Sequence, residues 1–171
     1  MHVVLRKWSG SDAAELAGIL SEDDVHEFIS DLPRPYTQKN AMEYIAAALN
    51  SSDGNFQSFA IEADGRLAGC ISAERGKNVY RMSAEIGYYI AKPLWGMGIA
   101  TAAVGKLVQF IFDNTDIIRI YSTVFAGNAA SARVLEKCGF RREGTLKCAL
   151  VKNGRLHDAH IYALIKGETL Q

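Results

Sequence analysis

Apolar positions recur with helical spacing through most of the first fifty residues, and beyond them the period drops to two. After an opening strand over His2 to Trp8, Asp12 opens a helix. Glu15 is its capping-box partner, and Leu16, Ile19 and Leu20 form its apolar stripe. A short acidic helix follows (Glu22, Asp23, Asp24, Glu27) and stops before Pro33 and Pro35, because proline cannot continue a helix. Thr37 caps a third helix with Met42, Ile45, Ala46 and Leu49 on one face, closed by Ser51-Ser52-Asp53-Gly54.

Strand spacing then takes over. Phe59 and Ile61 alternate with Ser58 and Glu62, and Asp64-Gly65 makes a two-residue hairpin turn into Leu67 to Ile71. Met82, Ala84, Ile86, Tyr88 and Ile90 share one face of a longer strand, with Ser83, Glu85, Gly87 and Tyr89 on the other. Trp95-Gly96-Met97-Gly98 leads into a helix bearing Val104, Leu107, Val108, Ile111 and Phe112. Ile117 to Phe125 is a β-branched strand. Asn128 caps a helix ending at Cys138, with Gly139 as its C′ residue, and an Asn153-Gly154 turn joins strands over Thr145 to Val151 and His157 to Ile165. This order predicts an α/β (α+β) mixed sheet rather than repeated βαβ units.

Composition narrows the function classes. The chain has 171 residues, no internal repeat and no linker-like tract, which predicts one domain over 1–171. Lys plus Arg (19) equals Asp plus Glu (19), so no net basic field draws the chain to nucleic acid or anionic lipid. No apolar run is long enough for a membrane helix, and the start, Met1-His2-Val3-Val4-Leu5-Arg6-Lys7, lacks a signal-peptide apolar region. Cytoplasmic localisation, with no nucleic-acid and no membrane partner, is therefore expected. Three widely spaced cysteines (Cys70, Cys138, Cys148) without a CxxC exclude a disulfide framework and a cysteine zinc site.

The most informative stretch runs from Tyr88 to Thr101, where a strand enters a glycine-rich turn that opens a helix. A helix start exposes unpaired N–H groups and the positive end of the helix dipole, and glycines at 96 and 98 admit a phosphate close to the backbone. The same glycines could serve a tight turn alone. A Walker A loop is excluded because Gly98-Ile99-Ala100 supplies no lysine. A dinucleotide fingerprint needs Gly or Ala where Thr101 stands, and Asp116 lies at the wrong end of the next strand for a ribose ligand.

The pattern that fits is similar to the acyl-CoA loop of the GNAT superfamily of N-acetyltransferases. Their Gln/Arg-x-x-Gly-x-Gly/Ala signature maps onto Trp95-Gly96-Met97-Gly98-Ile99-Ala100, with Trp95 in place of Gln or Arg. That departure, with Ala84-Glu85-Ile86-Gly87-Tyr88 ahead of it, resembles the subfamily of ribosomal-protein N-terminal acetyltransferases (Rim type). Asn128 to Phe140 is similar to the family's helix after its fifth strand. Arg142-Glu143-Gly144, Asn153-Gly154 and Asp158 to Tyr162 resemble the closing hairpin. The resemblance implies about seven strands, mostly antiparallel, with a central parallel pair splayed around acyl-CoA and four or five flanking helices. It implies an N-acetyltransferase that moves acetyl from acetyl-CoA to a primary amine, on a protein N-terminus or a small molecule, by direct transfer. A catalytically silent acyl-CoA-binding module of the same fold is the alternative, and a homodimer is compatible with either.

The resemblance also assigns residues. Trp95, Gly96, Met97, Gly98, Ile99, Ala100 and Thr101 form the phosphate loop; backbone N–H groups near Tyr89 and Ile90 face the oxyanion; Ser131 is the acid or sulfur ligand; Asn128 contacts pantetheine or caps its helix. Glu85, on the polar-lettered face of its strand, is the candidate base. Some relatives carry a basic carboxylate in the sixth strand, where this chain has Leu150. No metal site is expected, because strand alternation sets His157 opposite Asp158 and His160. The acidic run Glu22, Asp23, Asp24, Glu27 and Asp31 is a solvated helix face or an attractor for a cationic amine.

Overall fold

The computed structural model describes residues 1–29, 32–51 and 54–168; the expectations for Asp31, Ser52 and Asp53 lie outside them. Among the described residues seven strands form one sheet: β1 (Val3–Arg6), β2 (Phe56–Ala63), β3 (Arg66–Arg75), β4 (Ser83–Ile90), β5 (Arg119–Phe125), β6 (Arg141–Lys152) and β7 (Arg155–Ile165). Their order is β1-β2-β3-β4-β5-β7-β6, and every neighbouring pair is antiparallel except β4 and β5. The described residues also form five α-helices: α1 (Ala13–Ser21), α2 (Asp23–His26), α3 (Gln38–Asn50), α4 (Ile99–Asn114) and α5 (Ala129–Lys137). The predicted mixed sheet with a central parallel pair is the observed one.

The period-two alternation of β4 explains why both sheet faces are covered. Ala84, Ile86 and Ile90 point into one core with Ile99, Ala103, Val104, Leu107 and Ile111 of α4 and Leu135 of α5. Tyr89 points the other way, against a second core built from Leu16 and Leu20 of α1, Ile45 of α3 and Cys70 of β3. Ile99 and Leu107 are fully buried, each worth about 1.5–3 kcal/mol relative to exposure, so the start of α4 is held in place by its own side chains. The Asp64-Gly65 turn is left-handed at both residues (φ 48° and 82°), as a type I′ hairpin requires.

Several boundaries differ from the sequence expectation. β1 is shorter, and the first cap is Ser9 rather than Asp12: Ser9 and Asp12 form a reciprocal capping box around a 3-10 turn over Gly10–Asp12. Asp12 gives α1 no side-chain cap because its carboxylate is committed elsewhere. It accepts from Arg6 Nη1 (2.8 Å), Arg6 Nη2 (2.9 Å) and Ser9 N (2.8 Å), while Arg6 Nε also donates to Glu62 (2.6 Å). β5 begins at Arg119 rather than Ile117. β6 begins at Arg141 and carries irregularities after Arg142 and Leu146. As the sheet edge, β6 pairs only with β7 and keeps polar side chains in solvent, so apolar alternation could not mark its start.

The buried Asp12 carboxylate gives a pH-dependent prediction. The Arg6 guanidinium, and then the Ser9 N–H, hold its pKa below the usual carboxylate value. A depressed folded pKa contributes stability above the unfolded value of about 3.9, and this is lost as pH falls through the folded value. Asp12→Asn is expected to cost about 1–3 kcal/mol at pH 7, with the gap to the parent closing in acid. Urea unfolding at both pH values measures this; an equal gap in acid would contradict it.

Candidate active site

The site grows from the place where β4 and β5 part. Their parallel ladder consists of Ser83↔Arg119, Ala84↔Ile120 and Glu85↔Tyr121, and it ends there although both strands continue, to Ile90 and Phe125. The β3–β4 ladder is unbroken. Gly76 N–H bonds Ser83 O at one end and Ala91 N–H bonds Ala68 O at the other. Strict alternation therefore commits the odd-numbered β4 residues to β3 and turns the N–H groups of Tyr88 and Ile90 toward the opening. This corrects the expectation for Tyr89. Its N–H belongs to the β3 ladder, and its partly buried ring packs against the second core, where burial and then Cys70 push the phenol well up.

The same strand end runs into the loop. Lys92–Leu94 forms a 3-10 turn with proline inside it, and Trp95 folds back so that its indole N–H donates to Ile90 O (2.7 Å). The Trp95 side chain thus fixes the loop to β4, while its ring and Met97 remain exposed. Gly96 (φ 77°) and Gly98 (φ 79°) are both left-handed, and Gly98 is the N-cap of α4. A Cβ on either would meet no protein atom within 4 Å, so glycine is needed for the backbone conformation and for whatever approaches from outside. Backbone bonding resumes only at Ala102 N–H to Gly98 O, and no side chain caps α4 among the described residues. Ile99, Ala100 and Thr101 therefore offer N–H groups at the positive end of the helix dipole. Ile99 is buried, so it contributes backbone rather than side chain, and Thr101 O accepts from Cys138 Sγ (3.4 Å).

Across the opening stands the first turn of α5. Asn128 Oδ1 accepts from Ser131 N (3.0 Å), the expected cap. Ser131 Oγ lies 2.8 Å from the hydroxyl of Tyr88, which also reaches Ser131 O at 3.2 Å. Burial pushes the Tyr88 phenol up to about 12, even though its hydrogen bond to Ser131 pulls the other way. Strand alternation alone puts Tyr88 on an apolar face. The signal that could have found it is chemical: a tyrosine pointing into an aliphatic core needs a partner for its hydroxyl.

Glu85 stands on the other sheet face, at the closed end of the opening. It is half-buried and paired in register with Glu74 of β3 and Tyr121 of β5. Burial, then the Glu85 carboxylate, raises the Tyr121 phenol. Glu74, Arg75, Tyr80, Glu85 and Tyr121 line an open cleft of about 460 Å³. Next along this face comes exposed Gly87, where an added Cβ would meet only Ser72 Oγ at 3.9 Å. The segment after α2 leans over the open end: Phe28 packs on Phe125, and Lys152 Nζ donates to Ile29 O (2.9 Å). The acidic run is partly neutralised, since Asp23 pairs with Arg34 (3.1 Å) and Asp24 with Lys92.

The remaining candidates have separate partners. His160 meets Thr145 (3.1 Å), Asp158 pairs with Lys147 (2.7 Å) and receives Cys148 N–H (2.9 Å), and His157 packs against Phe125. Leu150 lies opposite His157 in the closing hairpin. Burial raises the Cys70 and Cys138 thiols, which leaves neither as a ready thiolate. The arrangement suits a long ligand whose anionic part meets the α4 N-terminus and whose arm enters the opening. The polar groups of Ser131 and Glu85 then lie on opposite sides of the sheet.

Comparison with known proteins agrees with this geometry. Residues 2–141 match the family model described as an acetyltransferase (GNAT) domain. YdaF of Bacillus subtilis, named as a candidate ribosomal N-acetyltransferase, is 32% identical over 98% of this chain and 93% of its own length. The N-acetyltransferase p20 of Bacillus licheniformis is 30% identical over 98% and 94%. Among solved structures, Mycobacterium smegmatis RimJ in complex with CoA-disulfide superposes with a TM-score of 0.88 at 29% identity, covering 99% of this chain and 84% of that one. The matching fold and the family match lead to one assignment: the chain belongs to the GNAT family and is an N-acetyltransferase of that type.

Proposed function

We propose that the chain transfers acetyl from acetyl-CoA to a primary amine by direct attack within a ternary complex, working as one cytoplasmic domain. One observation carries this reading. The β4–β5 ladder ends at Glu85↔Tyr121, and β4 then delivers the chain into the uncapped, glycine-turned start of α4. An opening for an extended arm and a site for a pyrophosphate are thus contiguous. The N–H groups of the 96–101 loop hold the pyrophosphate, and the N–H groups of Tyr88 and Ile90 face the developing oxyanion. Ser131 meets the departing sulfur from the α5 side. Glu85 draws the amine proton from the opposite face, through water in the open cleft.

The division between faces suits direct transfer: the amine adds to one face of the planar thioester carbonyl, the tetrahedral oxyanion meets the β4 N–H groups, and the sulfur then departs toward Ser131. An α-amino group has a pKa of about 8, so near neutral pH the base has only to remove one proton from a partly neutral population. The name of YdaF, a candidate ribosomal N-acetyltransferase, favours an amine on a ribosomal protein as acceptor over a small amine. No helix among the described residues is long and apolar enough to cross a membrane. The test is an acceptor screen by mass spectrometry, with acetyl-CoA and peptides of varied N-terminal residue beside free amino acids and polyamines. Acetylated α-amino products are expected; acetyl-CoA bound without transfer to any amine would instead support a silent binding module.

A further inference from the structure

We infer that Tyr88 is a positioning residue that aims the Ser131 hydroxyl hydrogen into the β4–β5 opening, toward the sulfur of the acyl donor. The inference deepens the proposed function and rests on it.

The geometry points this way in three steps. Tyr88 lies on β4 beyond the last β5 pair, with its ring packed among the core residues shared with α4 and α5. Its hydroxyl spans the gap to α5 and meets Ser131 Oγ at 2.8 Å, closer than the Ser131 carbonyl at 3.2 Å. Between a phenol and an aliphatic alcohol the phenol is the stronger acid and the better donor. Tyr88 therefore donates its one hydrogen, chiefly to Ser131 Oγ at 2.8 Å and more weakly to Ser131 O at 3.2 Å. Among the described residues Ser131 Oγ has no other hydrogen-bond partner, while its backbone N–H is fixed by Asn128 Oδ1 at 3.0 Å. With one lone pair engaged and the backbone held, the serine hydrogen is left to point away from Tyr88, into the half-buried space between the strands.

The chemistry balances without a proton from tyrosine. The amine nitrogen forms its bond to the carbonyl carbon and gives up one proton to Glu85 or water. The C–S bond breaks with its electron pair leaving on sulfur. That sulfur accepts the Ser131 hydrogen bond and takes a proton from water. Burial keeps the Tyr88 phenol neutral through the working pH range, so it remains a donor throughout and never a competing anion. In this scheme the Tyr88 side chain does not touch the substrate; it acts through Ser131, apart from the backbone N–H that faces the oxyanion.

The test is binding of CoA against desulfo-CoA, which lacks the thiol, by calorimetry between pH 6.5 and 9. A donor aimed at sulfur favours the thiolate over the free-thiol pKa of about 8.5, so in the parent protein CoA gains on desulfo-CoA as pH rises. Tyr88→Phe keeps the ring and its packing, and should lose most of that gain, about tenfold, the usual scale for one hydrogen bond to a charged group. Ser131→Ala should lose the same gain, and Tyr88→Phe added to Ser131→Ala should change nothing further. Desulfo-CoA affinity should stay the same in all four proteins. A Tyr88→Phe protein that keeps the parent's pH-dependent gain, or a double variant whose losses add, overturns the inference and leaves Tyr88 a packing residue. Absence of CoA and desulfo-CoA binding by the parent overturns the proposed function itself, and the inference with it.

Discussion

Glu85→Gln is expected to lower kcat near pH 7 by about 10²–10⁴-fold, the usual worth of general base catalysis, while leaving acetyl-CoA affinity unchanged. The affinity is spared because Glu85 lies on the face away from α4 and α5, at the closed end of the opening, and has no part in the 96–101 loop. Glutamine keeps the size of the side chain and its hydrogen-bonding reach but cannot take a proton. The alternative carboxylate position in the closing hairpin is Leu150, which cannot substitute. Part of the rate should return as pH rises past the α-amino value of about 8, where the acceptor loses its proton to solvent. Orientation and the β4 N–H groups would still act, so some activity should survive. The same substitution removes the negative charge that raises Tyr121, so the Tyr121 phenol should titrate lower in the variant. A pH–rate profile of parent and variant measures this, and parent-like rates at pH 7 would contradict a catalytic role for Glu85.

The second large effect belongs to Gly98. At a hundredfold excess over Kd, acetyl-CoA should stabilise the parent by about 2.7 kcal/mol, and adenosine or NAD far less. Gly98→Val should abolish that shift. The residue has φ 79°, a left-handed conformation that costs an L residue about 1–2 kcal/mol, and more when it is β-branched. Its Cβ would also project into open space, where the anion approaches. Backbone strain alone can be separated from loss of the site with Gly65→Val. That residue has φ 82° in the β2–β3 turn and likewise nothing within 4 Å of an added Cβ. Both variants should melt lower than the parent, and only Gly65→Val should still be stabilised by acetyl-CoA. An unchanged Kd in Gly98→Val would remove the 96–101 loop from the binding account.

These two predictions use residues that local pattern already marked, and the reason is physical. A left-handed glycine before a helix, an Asn128 cap and a period-two strand are decided within a few residues, so the chain spells them out. The departures come from long-range partners. Asp12 leaves the α1 cap because Arg6, itself held by Glu62 across β1 and β2, engages its carboxylate. The start of β6 is invisible because an edge strand needs no apolar alternation. Tyr89 reads as a polar-face residue until α1 and α3 are seen to cover that face. Which N–H groups of β4 face the opening follows from the β3 register, and the bond from Tyr88 to Ser131 joins residues 43 positions apart. The loop was therefore legible in the sequence, and the arrangement of donors around the opening was not.

Direct transfer is tested most plainly by counting both products at once. Radiolabelled acetyl-CoA is given to the protein with and without the best peptide acceptor, and free thiol, acetylated amine and label on the protein are all measured. The account predicts one thiol released for each amine acetylated, release that depends on the acceptor, and no label left on the chain. Label retained on the protein in the absence of acceptor, or thiol released with no acetylated amine, would contradict attack by the amine on bound acetyl-CoA.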